Sequence, residues 1–335
     1  MAQGLRKRIT DKVTASDSIY QPSKPSAVRR ILVIKHGALG DIIQGLDAYA
    51  SLRAQFTKAH ITLLTSKNFA SLMQIMPYFD EVQIDERAPF WKISKLISMR
   101  GLLRDDFDMI IDLQCSKRTN HYHQFLTHPH QIWFGTANKC SHPYPDFSGV
   151  NNAERMLVAI DMAAGHFYGD NAVKRAEADL SFLSADKSAF ALPENYAVLM
   201  PGCSPAKPSK RWPAKQYAAL AHKLLAKQIR PVLIGTHIDA PACDEIMNNA
   251  PDCLNLCTRT NLAELAAISS DAQLVIGNDS GPVFLAAKTG APSWMLMGAD
   301  TDPLMSAPKG ARARYIKTDD LHSLSADMVM DAVFS

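Results

Sequence analysis

Three short segments of this 335-residue chain gather glycines, carboxylates, hydroxyls and cations at spacings suited to a charged ligand. The first, His36-Gly37-Ala38-Leu39-Gly40-Asp41, follows an apolar run and precedes a helical pattern. Its glycines permit a tight turn, and Asp41 stands where a helix begins. An aspartate there serves either as an N-cap accepting backbone N–H groups or as a general base taking a proton from a bound hydroxyl. The second, Asn278-Asp279-Ser280-Gly281-Pro282, leads into small apolar residues ending at Gly290. Pro282 suits a first helical turn, Ser280 or Gly281 can cap, and Gly290 suits the position just past the end. Such a start offers N–H groups and a positive dipole end to an anionic diphosphate; a well-capped structural helix has the same features. The third segment, Pro201 to Pro213, holds Lys207, Lys210, Arg211 and Trp212. Cations there can neutralise charge on a departing diphosphate. The plainer reading packs Trp212 under the following helix and leaves Lys207 solvated.

The elements that must position these segments alternate from Arg30 onward. Ile31–Lys35, Ile61–Thr65, Val82–Ile84, Met109–Leu113 and Gln131–Gly135 read as strands. Asp41–Phe56, Phe69–Met76 and Ile93–Leu103 read as helices between them. A second series begins near Tyr196, with strands Ala197–Met200, Pro231–Gly235, Leu274–Gly277 and Trp294–Met297. Its helices are Pro213–Lys227, Leu262–Ser269, Pro282–Thr289 and a final Ser325–Phe334. Strands separated by helices imply two parallel α/β domains in tandem, with the polar residues 168–194 as a linker. In such sheets ligands bind beyond the carboxyl ends of the strands, where all three segments fall. No Gly-x-Gly-x-x-Gly follows the first strand, which counts against a nicotinamide or flavin enzyme.

Composition sets the outer limits. A hydrophobic fraction of 47% with 21% charged residues is that of an ordinary globular enzyme. A net charge of +3 is too small to indicate nucleic acid. Six dispersed cysteines, none in C-x-x-C spacing, fit a reducing compartment. Residues 1–28 lack an apolar signal region, and the stretch from Val283 to Met297 is broken by Lys288, Gly290 and Pro292, so a cytoplasmic chain without a membrane span is expected. Residues 1–29 form a basic tail, read as solvated or as attracted to an anionic inner-membrane surface.

Taken together, Ile-Leu-Val-Ile-Lys…Leu-Gly-Asp (31–41), Pro-Gly…Lys-Arg-Trp-Pro (201–213) and Asn-Asp-Ser-Gly-Pro (278–282) resemble the ADP-heptose:lipopolysaccharide heptosyltransferases, glycosyltransferase family nine. Asp112-Leu113-Gln114, Trp133-Phe134-Gly135 and Leu233-Ile234-Gly235 fall in the order that family shows. The resemblance implies an α/β fold of two Rossmann-like domains facing a central cleft, the GT-B type. Residues 30–175 would take the acceptor and residues 176–335 the nucleotide-sugar donor. It also implies inverting transfer of heptose from ADP-heptose to the lipopolysaccharide inner core, with Kdo–lipid A or a heptosyl acceptor, and without metal or cofactor. By position, Asp41 would be the base and Lys210 would meet the donor phosphates. Gly202, Ser204, Asp279, Ser280, Gly281 and Pro282 would line the donor site, with Glu264 near the ribose. Gly37, Gly40, Asp112, Gln114 and Arg118 would face the acceptor, Arg118 meeting an anionic sugar. One position departs from the family: Phe284 stands where a donor-side histidine is common, and it cannot donate a hydrogen bond to phosphate. Either it turns into the core or the donor is held differently. A related transferase using another nucleotide sugar, or a degenerate nucleotide-binding protein, are the alternatives.

Other clusters read as structure. Asp106-Phe107-Asp108 mimics a metal-binding Asp-x-Asp but precedes its strand, which puts it at the far end from the cleft. His121, His123, His128 and His130 are dense, yet no nearby carboxylate or thiolate completes a zinc set. Cys203 reads as a small packing residue of its loop.

Overall fold

Ile31, Leu32, Val33 and Ile34 are all fully buried, a continuous apolar run of the kind that needs cover on both faces of a sheet. They form β1 (Arg30–Ile34) at the centre of a six-stranded sheet in the computed structural model, which describes residues 28–335. The other strands of that sheet are β2 (His60–Ser66), β3 (Glu81–Asp85), β4 (Met109–Asp112), β5 (Trp133–Gly135) and β6 (His142–Pro143). A second sheet holds β7 (Tyr196–Met200), β8 (Arg230–Leu233), β9 (Leu254–Asn255), β10 (Leu274–Asn278), β11 (Ser293–Met297) and β12 (Ala313–Lys317). The orders are β3-β2-β1-β4-β5-β6 and β12-β11-β10-β7-β8-β9, and the strand pairs are parallel. Counted from its own first strand, each sheet runs 3-2-1-4-5-6, the doubly wound Rossmann order. The expected basic tail lies almost wholly in residues 1–27, outside the described residues.

Helices α1 (Leu39–Gln44), α2 (Leu46–Gln55), α3 (Ala70–Gln74), α4 (Ile93–Leu103), α5 (Lys117–Phe125) and α6 (Asn152–Tyr168) accompany the first sheet. The second has α7 (Ala214–Ala226), α8 (Ala240–Asn249), α9 (Leu262–Ser270), α10 (Gly281–Lys288), α11 (Pro303–Ser306) and α12 (Ala326–Phe334). The pattern read as one helix from Asp41 to Phe56 is divided at Gly45, where a Cβ would lie 2.4 Å from the Tyr49 hydroxyl. Sequence patterning assigned no element between Gly135 and Tyr168, yet α6 is the longest described helix, with Met156, Ala159, Ile160, Ala163 and Ala164 buried on one side. Asn151 caps it by accepting from the Ala153 N–H at 3.0 Å. Helix α5 lacks an apolar periodicity, since only Thr119 and Tyr122 are buried and the rest is polar apart from the exposed Phe125.

The linker expected over 168–194 is docked. The Lys174, Ala176 and Ala178 N–H groups donate to Gln55 Oε1, Ser51 Oγ and Asp47 Oδ1 of α2, each at 2.9 Å. Lys187 then pairs with Asp271 and reaches the Ala267 carbonyl, on the second sheet's side. The final helix α12 packs on α7 of the second unit.

The two units meet through α1 and α10. A Cβ on Gly281 would stand 2.8–2.9 Å from three Leu39 side-chain atoms, and one on Gly40 would stand 3.2 Å from the Phe284 ring. Lys288 of α10 crosses to both Asp47 carboxylate oxygens at 2.6 Å, and Asn151 Nδ2 donates to the Ala307 carbonyl at 3.1 Å. Gly281→Ala therefore forces the junction apart and should lower stability by about 1–3 kcal/mol in urea unfolding. Gly101→Ala, in the interior of α4 with nothing within 4 Å of the new methyl, should instead be neutral or raise stability by about 0.5–1 kcal/mol.

Candidate active site

In each sheet the strand order reverses between the first and fourth strands, so a crevice opens there beyond their carboxyl ends. The loops after β1 and β4 bring Lys35, Asp41, Gln114 and Cys115 into a cavity of 460 Å³, closed by Tyr144 and by Asn152, Arg155 and Met156 of α6. The loops after β7 and β10 bring Gly202, Ser204, Lys207, Lys210 and Asp279–Pro282 into a cavity of 570 Å³ that includes Thr236, Asn261 and Phe284. Ala38, Leu39, Gly40 and Asp41 close this larger cavity from the first unit. Asp41 lines both cavities.

Helix geometry places Asp41. The N-cap of α1 is Ala38, and Asp41 sits in the first turn, so the N-cap alternative for this residue does not hold. Behind the loop, Gly37 adopts φ +131°, and a Cβ would lie 2.4 Å from the Phe69 ring, so only glycine fits. His36 Nε2 lies 3.0 Å from Asp85 Oδ2, both side chains 3% exposed, and the Tyr122 hydroxyl donates to the same oxygen at 2.6 Å. The His36 N–H donates to Gln114 Oε1 at 2.8 Å. Burial alone would raise the Asp85 carboxyl, but hydrogen bonds from His36, Tyr122 and the Arg87 N–H outweigh it and hold Asp85 at about 2. Lys35 is buried, donates to the Leu113 carbonyl at 3.3 Å, and is lowered from its ordinary value by that burial, partly offset by Asp41.

On the other side, Lys210 Nζ meets Asp279 Oδ2 at 2.5 Å, and the Thr301 hydroxyl donates to the same oxygen at 2.7 Å. Ser280 is the N-cap residue of α10, yet its Oγ is buried without a hydrogen-bond partner and makes no cap bond. Pro282 occupies the first turn and Gly290, at φ +84°, follows the C-cap, as the spacing predicts. Gly202 is required by Asp239, whose carboxylate would lie 2.4–2.6 Å from an added Cβ. Phe284 turns into the junction, 6% exposed, with its edge on the larger cavity. Trp212 is buried and donates from Nε1 to the Leu324 carbonyl at 2.9 Å, the structural reading of that residue, while Lys207 is exposed.

Among the residues expected at the site, Gly37, Asp112, Arg118 and Glu264 line neither cavity. Asp112 is fully buried and its Oδ1 accepts from the Gln114 and Cys115 N–H groups at 2.9 Å, turning the chain after β4. Arg118 points away, donating to the Ala88 carbonyl at 2.6 Å and to the Tyr122 hydroxyl. Glu264 closes a capping box, accepting from the Asn261 N–H at 2.7 Å. Gly40 faces the larger cavity, not the smaller. The cations that do line the smaller cavity, Lys35 and Arg155, were not singled out. Lys35 was legible as a lysine at a strand's carboxyl end, whereas Arg155 belongs to the unread α6.

Asp108 Oδ2 accepts from the Arg29 and Arg30 N–H groups at 2.6 and 2.8 Å, at the amino end of β1 as expected. His121 and His123 pack edge-on against Phe90 and Trp133. No group of three or more metal-ligating side chains is assembled among the described residues. Cys203 is buried, bonded to the Lys207 carbonyl at 3.2 Å, with its thiol pushed up by burial.

The profile of glycosyltransferase family 9 (heptosyltransferase) matches residues 96–330. The chain belongs to that family. Lipooligosaccharide heptosyltransferase 2 of Haemophilus influenzae is 26% identical over 311 residues, covering 86% of this chain and 88% of that protein. A family 9 glycosyl transferase from Veillonella parvula superposes with a TM-score of 0.76 at 20% identity, over 93% of this chain and 98% of that one. An E. coli heptosyltransferase solved with ADP-2-deoxy-2-fluoro heptose gives a TM-score of 0.69 at 17% identity, over 91% and 99% of the two chains. The family 9 chain is a glycosyltransferase with two facing Rossmann-like domains. No helix among its described residues is long and apolar enough to cross a membrane.

Because the Asp85 pKa is depressed in the folded family 9 chain, its contribution to stability is complete above the unfolded value and is lost as pH falls from about 4 through about 2. Removing it by Asp85→Asn should leave a stability deficit that shrinks by about 2 kcal/mol between pH 5 and pH 2, measured by urea unfolding across that range.

Proposed function

We propose that this glycosyltransferase moves heptose from ADP-heptose to the inner core of lipopolysaccharide, with inversion at the anomeric carbon and without a metal ion. The observation that carries the reading is Asp41, a carboxylate that lines both cavities, as the neutral Asn152 also does. An acceptor hydroxyl in the smaller cavity and a donor in the larger one would meet at that carboxylate. In the proposed step the acceptor oxygen bonds to the anomeric carbon, the bond from that carbon to the diphosphate oxygen breaks, and Asp41 takes the hydroxyl proton. Residues 30–175 hold the acceptor and residues 176–335 the donor.

Lys210 and the start of α10 stabilise the leaving diphosphate, with the unpartnered Ser280 hydroxyl and the Gly281 N–H as donors. Asp279 orients Lys210 instead of touching phosphate, since two anions would repel. Lys35 and Arg155, which line the smaller cavity beside the carboxylates Asp41 and Asp146, are the cations that would meet an acidic inner-core sugar. The relatives support the substrate class: one is named a lipooligosaccharide heptosyltransferase and another is solved with an ADP-heptose analogue.

Phe284 favours a second reading, a different nucleotide sugar, because it puts an apolar edge where a hydrogen-bond donor is common in the family. A coupled assay for ADP release from ADP-heptose, with and without Kdo–lipid A, separates the two. Acceptor-dependent release supports heptose transfer, whereas a folded chain that releases nothing from ADP-heptose but turns over another donor establishes the second. Asp41→Asn should reduce kcat by about 10²–10⁴ with ADP affinity unchanged in calorimetry, and retained turnover would remove Asp41 from the role of base.

A further inference from the structure

Helix α4 carries apolar side chains on two sides. Leu96, Met99 and Leu103 pack onto the core of the first sheet. Ile93 and Ile97, one turn apart, stand 69% and 65% exposed, and the loop before them adds Trp91 at 80%. Phe90 extends this face to α5, its ring centroid 5.6 Å from that of His121, which lies 5.9 Å from the exposed Phe125. Scattered exposed apolar residues are ordinary, but a contiguous apolar face marks something that covers it.

Charge identifies the cover. Residues 86–104 contain five basic residues and one acidic residue, and that acid, Glu86, is already held by Lys95 at 2.6 Å. Arg87, Lys92 and Arg100 are exposed around the apolar side chains. A second copy of the chain meeting this face about a two-fold axis would set basic residues against basic residues. A surface of anionic phosphates over hydrocarbon complements both the charge and the apolar side chains. The face also has a fitting position. It begins just past the carboxyl end of β3, and Arg118 ties its loop to α5 through the Ala88 carbonyl at 2.6 Å. Helix α5 follows Gln114 and Cys115, which line the smaller cavity.

We propose that the Phe90–Arg100 face of the first domain docks on an anionic lipid bilayer, with Trp91, Ile93 and Ile97 entering the interface and Lys92, Arg87 and Arg100 meeting headgroup phosphates. It is distinct from any contact by the basic tail and stands whether or not the donor and acceptor assignments hold.

Trp91 is the exposed one of the four tryptophans, Trp133 and Trp212 being buried and Trp294 partly so, and its fluorescence reports the contact directly. The full chain is titrated with vesicles of phosphatidylcholine alone or mixed with phosphatidylglycerol. With the anionic vesicles the emission should move to shorter wavelength and acrylamide quenching should fall. Ile93→Asp combined with Ile97→Asp should weaken binding by about tenfold or more with an unchanged circular dichroism spectrum. Binding that leaves Trp91 accessible assigns the contact to the tail and overturns the proposal. So does absence of binding, equal binding to neutral vesicles, or an emission shift that grows with protein concentration alone.

Discussion

Gly281 opens α10 against the side chain of Leu39, and Gly40 lies under the Phe284 ring, so at each contact a glycine of one helix start receives a side chain of the other helix. This close approach brings the carboxyl ends of β1 and β10 to one place and makes α1 part of the wall of the larger cavity. Asp47 reinforces it from behind: one carboxylate receives Lys288 from the second unit and the Ala178 N–H from the linker. The junction, the linker path and the position of Asp41 are consequences of one packing arrangement. Its cost in local freedom is met by burial continuous across the junction, where Ile42 and Ile43 share a core with Val283 and Phe284.

The two halves reach the same strand order by the same rule. A right-handed crossover in each direction from the first strand leaves a crevice beside it, and the crevice collects whatever follows the first and fourth strands. This explains why residues distant in sequence, such as Asp41 with Gln114 and Lys210 with Asp279, line common walls. The halves differ in what fills the crevice. The first closes with α6 and its Arg155; the second leaves an open helix start with an unpartnered serine hydroxyl. A buried hydroxyl without a partner is costly unless a ligand supplies one, which fits the diphosphate role proposed for this end.

Electrostatics within the site is arranged in pairs that a ligand would have to redistribute. Lys210 rests on Asp279, and Arg211 lies 3.3 Å from Asp239. On the acceptor side proposed for the first domain, the buried His36–Asp85–Tyr122 cluster lies directly behind the loop that carries Asp41. Arg118 belongs to that supporting cluster, 3.6 Å from Asp85, and so faces away from the cavity.

The alternation of apolar runs and helical patterns determined two tandem parallel α/β units, and the loop after each central strand located nearly all of the larger cavity. Those are local properties: apolar continuity marks a strand covered on both faces, and Ser280, Pro282 and Gly290 occupy the turn positions their backbone chemistry demands. What sequence could not supply was direction and distance. Asp112, Arg118 and Glu264 have the chemistry of binding residues; Asp112 and Glu264 are held by backbone N–H groups two or three residues away, and Arg118 by the Ala88 carbonyl thirty residues away. Where Phe284 would point was likewise not local, because it packs on Gly40 from the other domain. That Asp41 would border both cavities was decided only by the meeting of α1 and α10, because a wall shared between two domains depends on contacts hundreds of residues apart, where no local pattern in the chain records which surfaces will touch.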